Sequence, residues 1–222
     1  MLDPQMTLSQ AVLEHPATAE VLQRHRLDFC CKGSRTIDEA CRERRLDTTA
    51  VVAELEQAIE QRRPASTPDP ASMPTPELIG HIISRHHAHL RTTLPFVTTL
   101  AKKVGRVHGD RDLRLLQLAG AVEELRGALD PHLDFEEQVL FPAMMQGRAE
   151  ASAIGRDLGI MKDEHLEVGQ LLELMAELTD DFQAPEWACG SYRTLFAELR
   201  HLHGDILRHV HLENHVLAPR FA

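Results

Sequence analysis

The sequence predicts an all-α protein, an up-down-up-down four-helix bundle preceded by a small N-terminal helical domain. Three observations carry that prediction. From Glu77 onward apolar residues recur at helical spacing almost without pause, and strand-like alternation is absent. Only short breaks, GRVHGDRD, GRAEASAIG and DDFQAPE, interrupt the pattern, and short loops make successive helices antiparallel. A His followed four places later by a Glu occurs twice, His132 with Glu136 and His209 with Glu213, and each Glu opens a run ending Val-Leu-x-Pro.

The N-terminal part, residues 1–61, reads as a helical module. PATAEVLQRHRL (16–27) has apolar residues at helical spacing, with Pro16 suited to a first turn. DFCCKGS (28–34) interrupts it, with Gly33 as a turn residue. Thr36 and Glu39 form a capping box, and Asp47 caps a further helix through Ile59. About 55 residues is marginal for an independent core, so the module is expected to lean on a neighbour or a second copy. Residues 62–76 hold five prolines and read as an extended, semi-rigid linker. The bundle then occupies residues 77–222, with helices expected near 76–105, 111–146, 153–180 and 187–217. Pro131 immediately precedes His132, so either the helix kinks there or Asp130 ends one helix and caps the next. Pro95 is expected to kink the first bundle helix.

Composition narrows the function. Hydrophobic residues at 43% suffice for a core, but aromatics at 4% leave it to Leu, Val, Ile, Met and Ala. A net charge of -10 would repel nucleic acid and anionic membranes at long range. The opening MLDPQMTLSQ has no positive n-region leading to an apolar h-region, and no apolar run reaches the roughly 18 residues a membrane span needs. The expectation is a soluble cytoplasmic protein. Four cysteines, Cys30, Cys31, Cys41 and Cys189, are too few and too uneven for a disulfide framework and read as reduced thiols. Fourteen histidines are the anomaly.

On a helix, four residues advance by about 400°, so each His and its Glu lie about 40° apart on one face. The repeat extends upstream: His87 lies 45 residues before His132, and His165 lies 44 before His209. Four helices each giving one inward His, two of them also giving a Glu, describe a dinuclear metal site inside a bundle. Each metal would take two imidazoles and a share of both carboxylates, with positions left open for an exogenous molecule. Any one of these histidines alone reads as a surface residue; the set of four His and two Glu, at duplicated spacing, does not. His86 and His211 point away from the ligand directions and are expected to face solvent or a groove, and His81, His89, His108, His201, His203 and His215 have no repeat support. Glu164 is read as an exposed helix residue, with a partner to a ligand or a proton carrier as the alternative. Met144, Met145, Met161 and Met175 read as core filler. Cys30 and Cys31, just before a helix start and beside Lys32, are either thiolates of lowered pKa able to bind a metal or exchange with a thiol, or two inert buried cysteines. Cys41 and Cys189 are taken as structural.

Taken together, DFCCKG in a short helical module, the proline-rich linker, His87, HLDFEEQVLFP, MKDEH and HVHLENHVLAP resemble the di-iron iron-sulfur cluster repair proteins, the repair-of-iron-centres or ScdA/YtfE family. The likeness runs across nearly the whole chain. It implies a hemerythrin-like four-helix bundle with two non-haem iron ions, joined by an oxo or hydroxo bridge when oxidised. His87, His132, His165 and His209 would be terminal ligands and Glu136 and Glu213 the bridges. Hemerythrins proper carry a fifth His, and its absence sets this pattern apart from the oxygen carriers. The resemblance also implies a stress role, repair of iron-sulfur proteins damaged by nitric oxide or peroxide, through iron donation or reduction of nitric oxide to nitrous oxide. Cys30 and Cys31 match a pair thought important in the family. A module that binds or senses oxygen or nitric oxide is the alternative, and the oligomeric state is left as monomer or homodimer.

Overall fold

The computed structural model describes residues 2–61, 70–146 and 151–221, with the side chains of residues 151 and 152 excepted. The eight residues from 62 to 69, which hold most of the expected linker, lie outside the described residues, as do the first four of the GRAEASAIG break. Among the described residues there is no strand, only an isolated bridge between Thr7 and Thr36. The chain divides into two units, Met1–Leu78 with Leu207–Arg220, and Ile79–Ile206 with the last two residues.

The first unit starts with α1 (Leu8–Glu14), α2 (Thr18–Arg24), α3 (Ile37–Arg44) and α4 (Thr48–Gln61). Both α1 and α3 begin with a capping box: Thr7 accepts from the Gln10 amide, Thr36 from the Glu39 amide, and each N3 side chain reaches back to the cap. The Thr36 box is the one the sequence announces; the Thr7 box uses a Gln. Asp47 Oδ1 accepts from the amides of Thr49 and Ala50 at the start of α4. Leu8, Leu22, Phe29, Ile37, Val51 and Leu55 fill the centre. The neighbour on which this small core leans is the chain's own segment 207–220. A 3₁₀ turn (Pro70–Ser72) and α5 (Thr75–His81) follow.

The second unit contains α6 (Ala88–His108), α7 (Arg114–Phe135), α8 (Phe141–Gln146), α9 (Ala151–Leu178) and most of α10 (Gly190–Leu212). This is an all-α, hemerythrin-like bundle. Lys102 bonds Glu123 while Arg91 bonds Asp134, so α6 and α7 run antiparallel. Arg114 reaches Asp180, just past the end of α9, while His132 reaches Glu164 within it, so α7 and α9 also run antiparallel. His108 stacks near Tyr192 while His86 meets Asp205, placing α10 antiparallel to α6. Leu118, Val122, Leu125 and Leu129 form the buried stripe of α7, and Leu158, Met161, Val168, Leu172 and Met175 that of α9. Each fully buried leucine of this kind contributes about 1.5–3 kcal/mol.

The helices pass the prolines without ending. Pro131 lies inside α7 and Pro95 inside α6, so Asp130 neither ends a helix nor caps one. The expected break at GRAEASAIG is shorter than its sequence, because α9 begins at Ala151. What the sequence did not announce are three π-helical turns among the described residues, Ile82–His87, Glu136–Leu140 and Glu213–Leu217. Widened turns of this kind are frequent at functional sites.

Candidate metal centre

Each expected ligand takes a position that its helix would otherwise give to a core residue. His87 continues the stripe Leu90, Leu94, Val97 of α6; His132 and Glu136 continue Leu125 and Leu129 of α7; His165 sits between Met161 and Val168 of α9; His209 and Glu213 continue Leu202 and Ile206 of α10. All six are buried, the most exposed of them at 2%. Burying ionisable groups so completely costs several kcal/mol each unless partners or a cation compensate.

In the second unit, Glu136 divides its carboxylate between two imidazoles. Its Oε2 lies 3.4 Å from His87 Nε2 and its Oε1 3.4 Å from His132 Nε2. His165 Nε2 faces His132 Nε2 at 3.2 Å. The far nitrogens of the rings set their tautomers. His87 Nδ1 donates to Glu137 Oε1 at 3.0 Å, and His132 Nδ1 donates to Glu164 Oε2 at 2.7 Å. A neutral imidazole that donates through Nδ1 presents a lone pair at Nε2. In that form the Nε2 atoms and the Glu136 oxygens make a donor set suited to a cation. The ligand atoms of His132, Glu136 and His165 lie within 4.8 Å of one another, and these buried His and Glu groups could hold a metal ion. Phe141 stacks on His87 with ring centroids 5.8 Å apart and covers that side.

In the first unit, His209 Nε2 lies 2.7 Å from Glu213 Oε1. The i, i+4 spacing places the two groups together as the sequence expects. Both Glu136 and Glu213 open a π turn, so each carboxylate stands where α geometry gives way to the wider one.

Sequence reasoning missed some supporting groups. Glu137 directly follows Glu136 and had no role assigned; besides His87 it accepts from Arg91 Nη2 at 3.2 Å, and Arg91 also bonds Asp134 at 2.7 Å. The duplication was the available signal, because its counterpart one half later, Asn214, also makes a supporting bond, to Cys30 O at 3.2 Å. Glu164 combines both readings entertained for it, with a side chain 41% exposed and a carboxylate on His132. His86 and His211 do not face solvent. His86 is buried and meets Asp205 Oδ1 at 3.1 Å through Nδ1. His211 is buried against Phe29 and donates to its carbonyl; burial first, and then the charge of His215, pushes its pKa down to about 4.

The cysteines also depart from expectation. Cys30 and Cys31 are not at a helix start, since α3 begins at Ile37 behind its own cap. Their amides both point to Asp28 Oδ1, at 3.1 and 2.8 Å. The hydrogen bond to Cys31, then burial and the neighbouring Asp28 carboxylate, hold the Cys30 thiol well above its ordinary pKa, against the lowered-pKa alternative and in line with a buried thiol. Cys41 is buried, whereas Cys189 is exposed and lies 3.2 Å from His108 Nε2. Met144, Met161 and Met175 are core residues, but Met145 is half exposed.

Comparison with known proteins agrees with this layout. The family described as Hemerythrin HHE cation binding domain matches residues 78–221, and the ScdA_N domain, of unknown function, matches residues 4–59. The chain is 35% identical over 214 residues to the iron-sulfur cluster repair protein YtfE of Yersinia pseudotuberculosis serotype O:1b (strain IP 31758), covering 96% of this chain and 95% of the relative. The protein of the same name from Yersinia pestis (strain Pestoides F) matches at the same identity and coverage. An ScdA_N domain followed by a cation-binding hemerythrin domain, matched nearly end to end, shows that the chain belongs to the iron-sulfur cluster repair family.

Proposed function

We propose that the chain repairs iron-sulfur proteins damaged by nitric oxide or peroxide, using two iron ions held by His87, His132, His165 and His209 with Glu136 and Glu213 as bridges. The observation that carries this reading is Glu136, buried, with one oxygen toward His87 and the other toward His132. A carboxylate so placed suits a bridge between two cations, and a hemerythrin HHE domain favours iron as the metal. Iron bound there supplies coordination positions for a small ligand such as nitric oxide or oxygen, and a store of metal that imidazoles hold less tightly than thiolates would.

The chain's own residues do the rest. Glu137 and Glu164 hold the Nδ1 protons of His87 and His132 and so aim the Nε2 lone pairs inward. Arg91 neutralises Glu137 from outside. Phe141 and the leucines of the stripes exclude water. The names of the relatives favour repair over a sensing or oxygen-binding role. The reduced cysteines suit a cytoplasmic setting, and no helix among the described residues is long and apolar enough to cross a membrane.

The test is recovery of a nitric-oxide-damaged iron-sulfur enzyme during anaerobic incubation with the ferrous protein. Recovery faster than with the same concentration of free ferrous iron is expected, with loss of iron from the protein if donation is the route. Headspace nitrous oxide would mark reduction instead. Recovery equal to that with free iron, and no gas, would refute the reading.

A further inference from the structure

We infer that Asp28, Cys30 and Cys31 form a second metal site, one that takes a single thiophilic divalent cation such as ferrous iron or zinc. The ligand atoms of these three residues lie within 4.8 Å of one another. The two sulfurs are 3.5 Å apart, and Cys30 Sγ is 3.2 Å from Asp28 Oδ1. Two sulfurs bound at about 2.3 Å to a tetrahedral ion stand about 3.8 Å apart. The pair therefore has to open by only a few tenths of an ångström to accept a cation. A disulfide would need the sulfurs to close to about 2.0 Å between adjacent residues, a far larger change.

The loop is built in advance of any ion. Asp28 Oδ1 gathers the amides of both cysteines, which fixes the two thiols on one side of the turn. From behind, His215 Nε2 donates to Cys30 O at 2.7 Å and Asn214 Nδ2 donates to the same oxygen at 3.2 Å. Gly33 completes the seat: a Cβ there would stand 2.3 Å from Phe29 O and 2.7 Å from His215 Nε2, so only glycine lets the loop close on the helix. Held this way, the donors lose little freedom on binding.

The donor set decides the ligand. Two thiolates and a carboxylate carry three negative charges, which suits a divalent cation, and sulfur selects zinc and iron over magnesium or calcium. Cys30 is buried, but Cys31 and Asp28 are partly exposed, so the ion has a solvent side and an open position. Structural sites are closed by four protein ligands; three ligands and an open face make an exchangeable site. The inference does not depend on the repair activity, since the His and Glu centre has no sulfur ligand.

Cobalt(II) is the probe, added anaerobically to the full-length protein with its cysteines reduced by a phosphine. A sulfur-to-cobalt charge-transfer band saturating at one equivalent is expected. Cys30→Ser with Cys31→Ser should abolish it while leaving helicity and cobalt uptake by the His and Glu centre intact. Asp28→Asn keeps the acceptor for the two amides but removes the charge, and should weaken binding by at least about tenfold. His132→Ala should leave the band unchanged, which separates this site from the other centre. Cys189→Ser should also leave it unchanged. Absence of the band in the native protein, its survival without Cys30 and Cys31, or its loss on changing His132 or Cys189 would overturn the inference.

Discussion

Replacing Glu136 by Gln should stabilise the protein without metal and destabilise it with metal. In the metal-free state the Glu136 carboxylate is fully buried, with its oxygens 3.4 Å from the Nε2 atoms of His87 and His132. When those rings are neutral and donate from Nδ1 to Glu137 and Glu164, their Nε2 atoms can only accept, and the carboxylate gains no hydrogen bond from them. A buried carboxylate costs several kcal/mol, and the Gln amide would instead donate a hydrogen bond to one Nε2. Relief of about 2 kcal/mol is expected, which for a chain of this size raises Tm by roughly 4–8 °C. In the iron-loaded state the same change removes a bridge. If affinity falls about a hundredfold, the stabilisation contributed by metal drops by about 2.7 kcal/mol. Thermal unfolding of matched stripped and reconstituted samples should therefore show the two proteins exchanging rank. A Gln variant less stable than the native protein in both states would mean that Glu136 is a structural carboxylate, and the metal argument would fail.

Other perturbations test the surroundings. Glu137→Gln should speed iron loss to a chelator by roughly tenfold, because the His87 ring loses its charged anchor, whereas Glu123→Gln, which touches only Lys102 at the surface, should leave the rate unchanged. Arg45 ends α3 in the left-handed region at φ 58°, so Arg45→Gly should raise stability by about 0.5–1 kcal/mol, read as a higher urea midpoint. The hydrogen bonds from Arg24 and His25 hold the Glu54 carboxylate below its ordinary value of about 4.5. That pair contributes stability above pH 4.5 and loses it as pH falls through the lowered value, so Glu54→Gln should flatten the acid limb of the urea midpoint plotted against pH.

Much of the fold was legible because the ligands obey the same periodicity as the core. His87, His132, Glu136, His165, His209 and Glu213 replace apolar residues within buried stripes, and polar groups at core positions are the pattern that physical reasoning flags first. Helical angle misplaces a side chain where another part of the same unit covers the back of its helix. The helical angle of His86 places it toward solvent or a groove, yet Asp205 of α10 stands beside it and buries it. That of His211 does the same, yet the loop carrying Phe29 closes over it. Periodicity describes one helix and cannot say what packs on its second face. The thiols failed for a related reason: proximity to Thr36 in sequence suggested helix amides for Cys30 and Cys31, but a short loop intervenes and a local carboxylate takes their amides instead.

The prolines that close the two halves of the repeat stand just past the two π turns that periodicity could not predict. Pro142 and Pro219 each stand six residues after a buried Glu. Proline lacks an amide proton and its ring crowds the carbonyl four residues back, which an α turn cannot absorb without kinking. A π turn relaxes that crowding by bonding one residue further back, as the Phe141 amide does to Glu136 O and the Ala218 amide to Glu213 O. The wider turn in each case starts at the carboxylate itself. The residue before it keeps the α spacing that pairs Glu with His, and the residues after it are rotated off the α register. Glu137 is thereby turned toward His87, while Asn214 in the other half is turned toward Cys30. The Val-Leu-x-Pro run is thus part of the site: moving Pro142 one residue along would let the α helix continue past Glu136, and His87 would lose the Glu137 carboxylate that the widened turn brings to it.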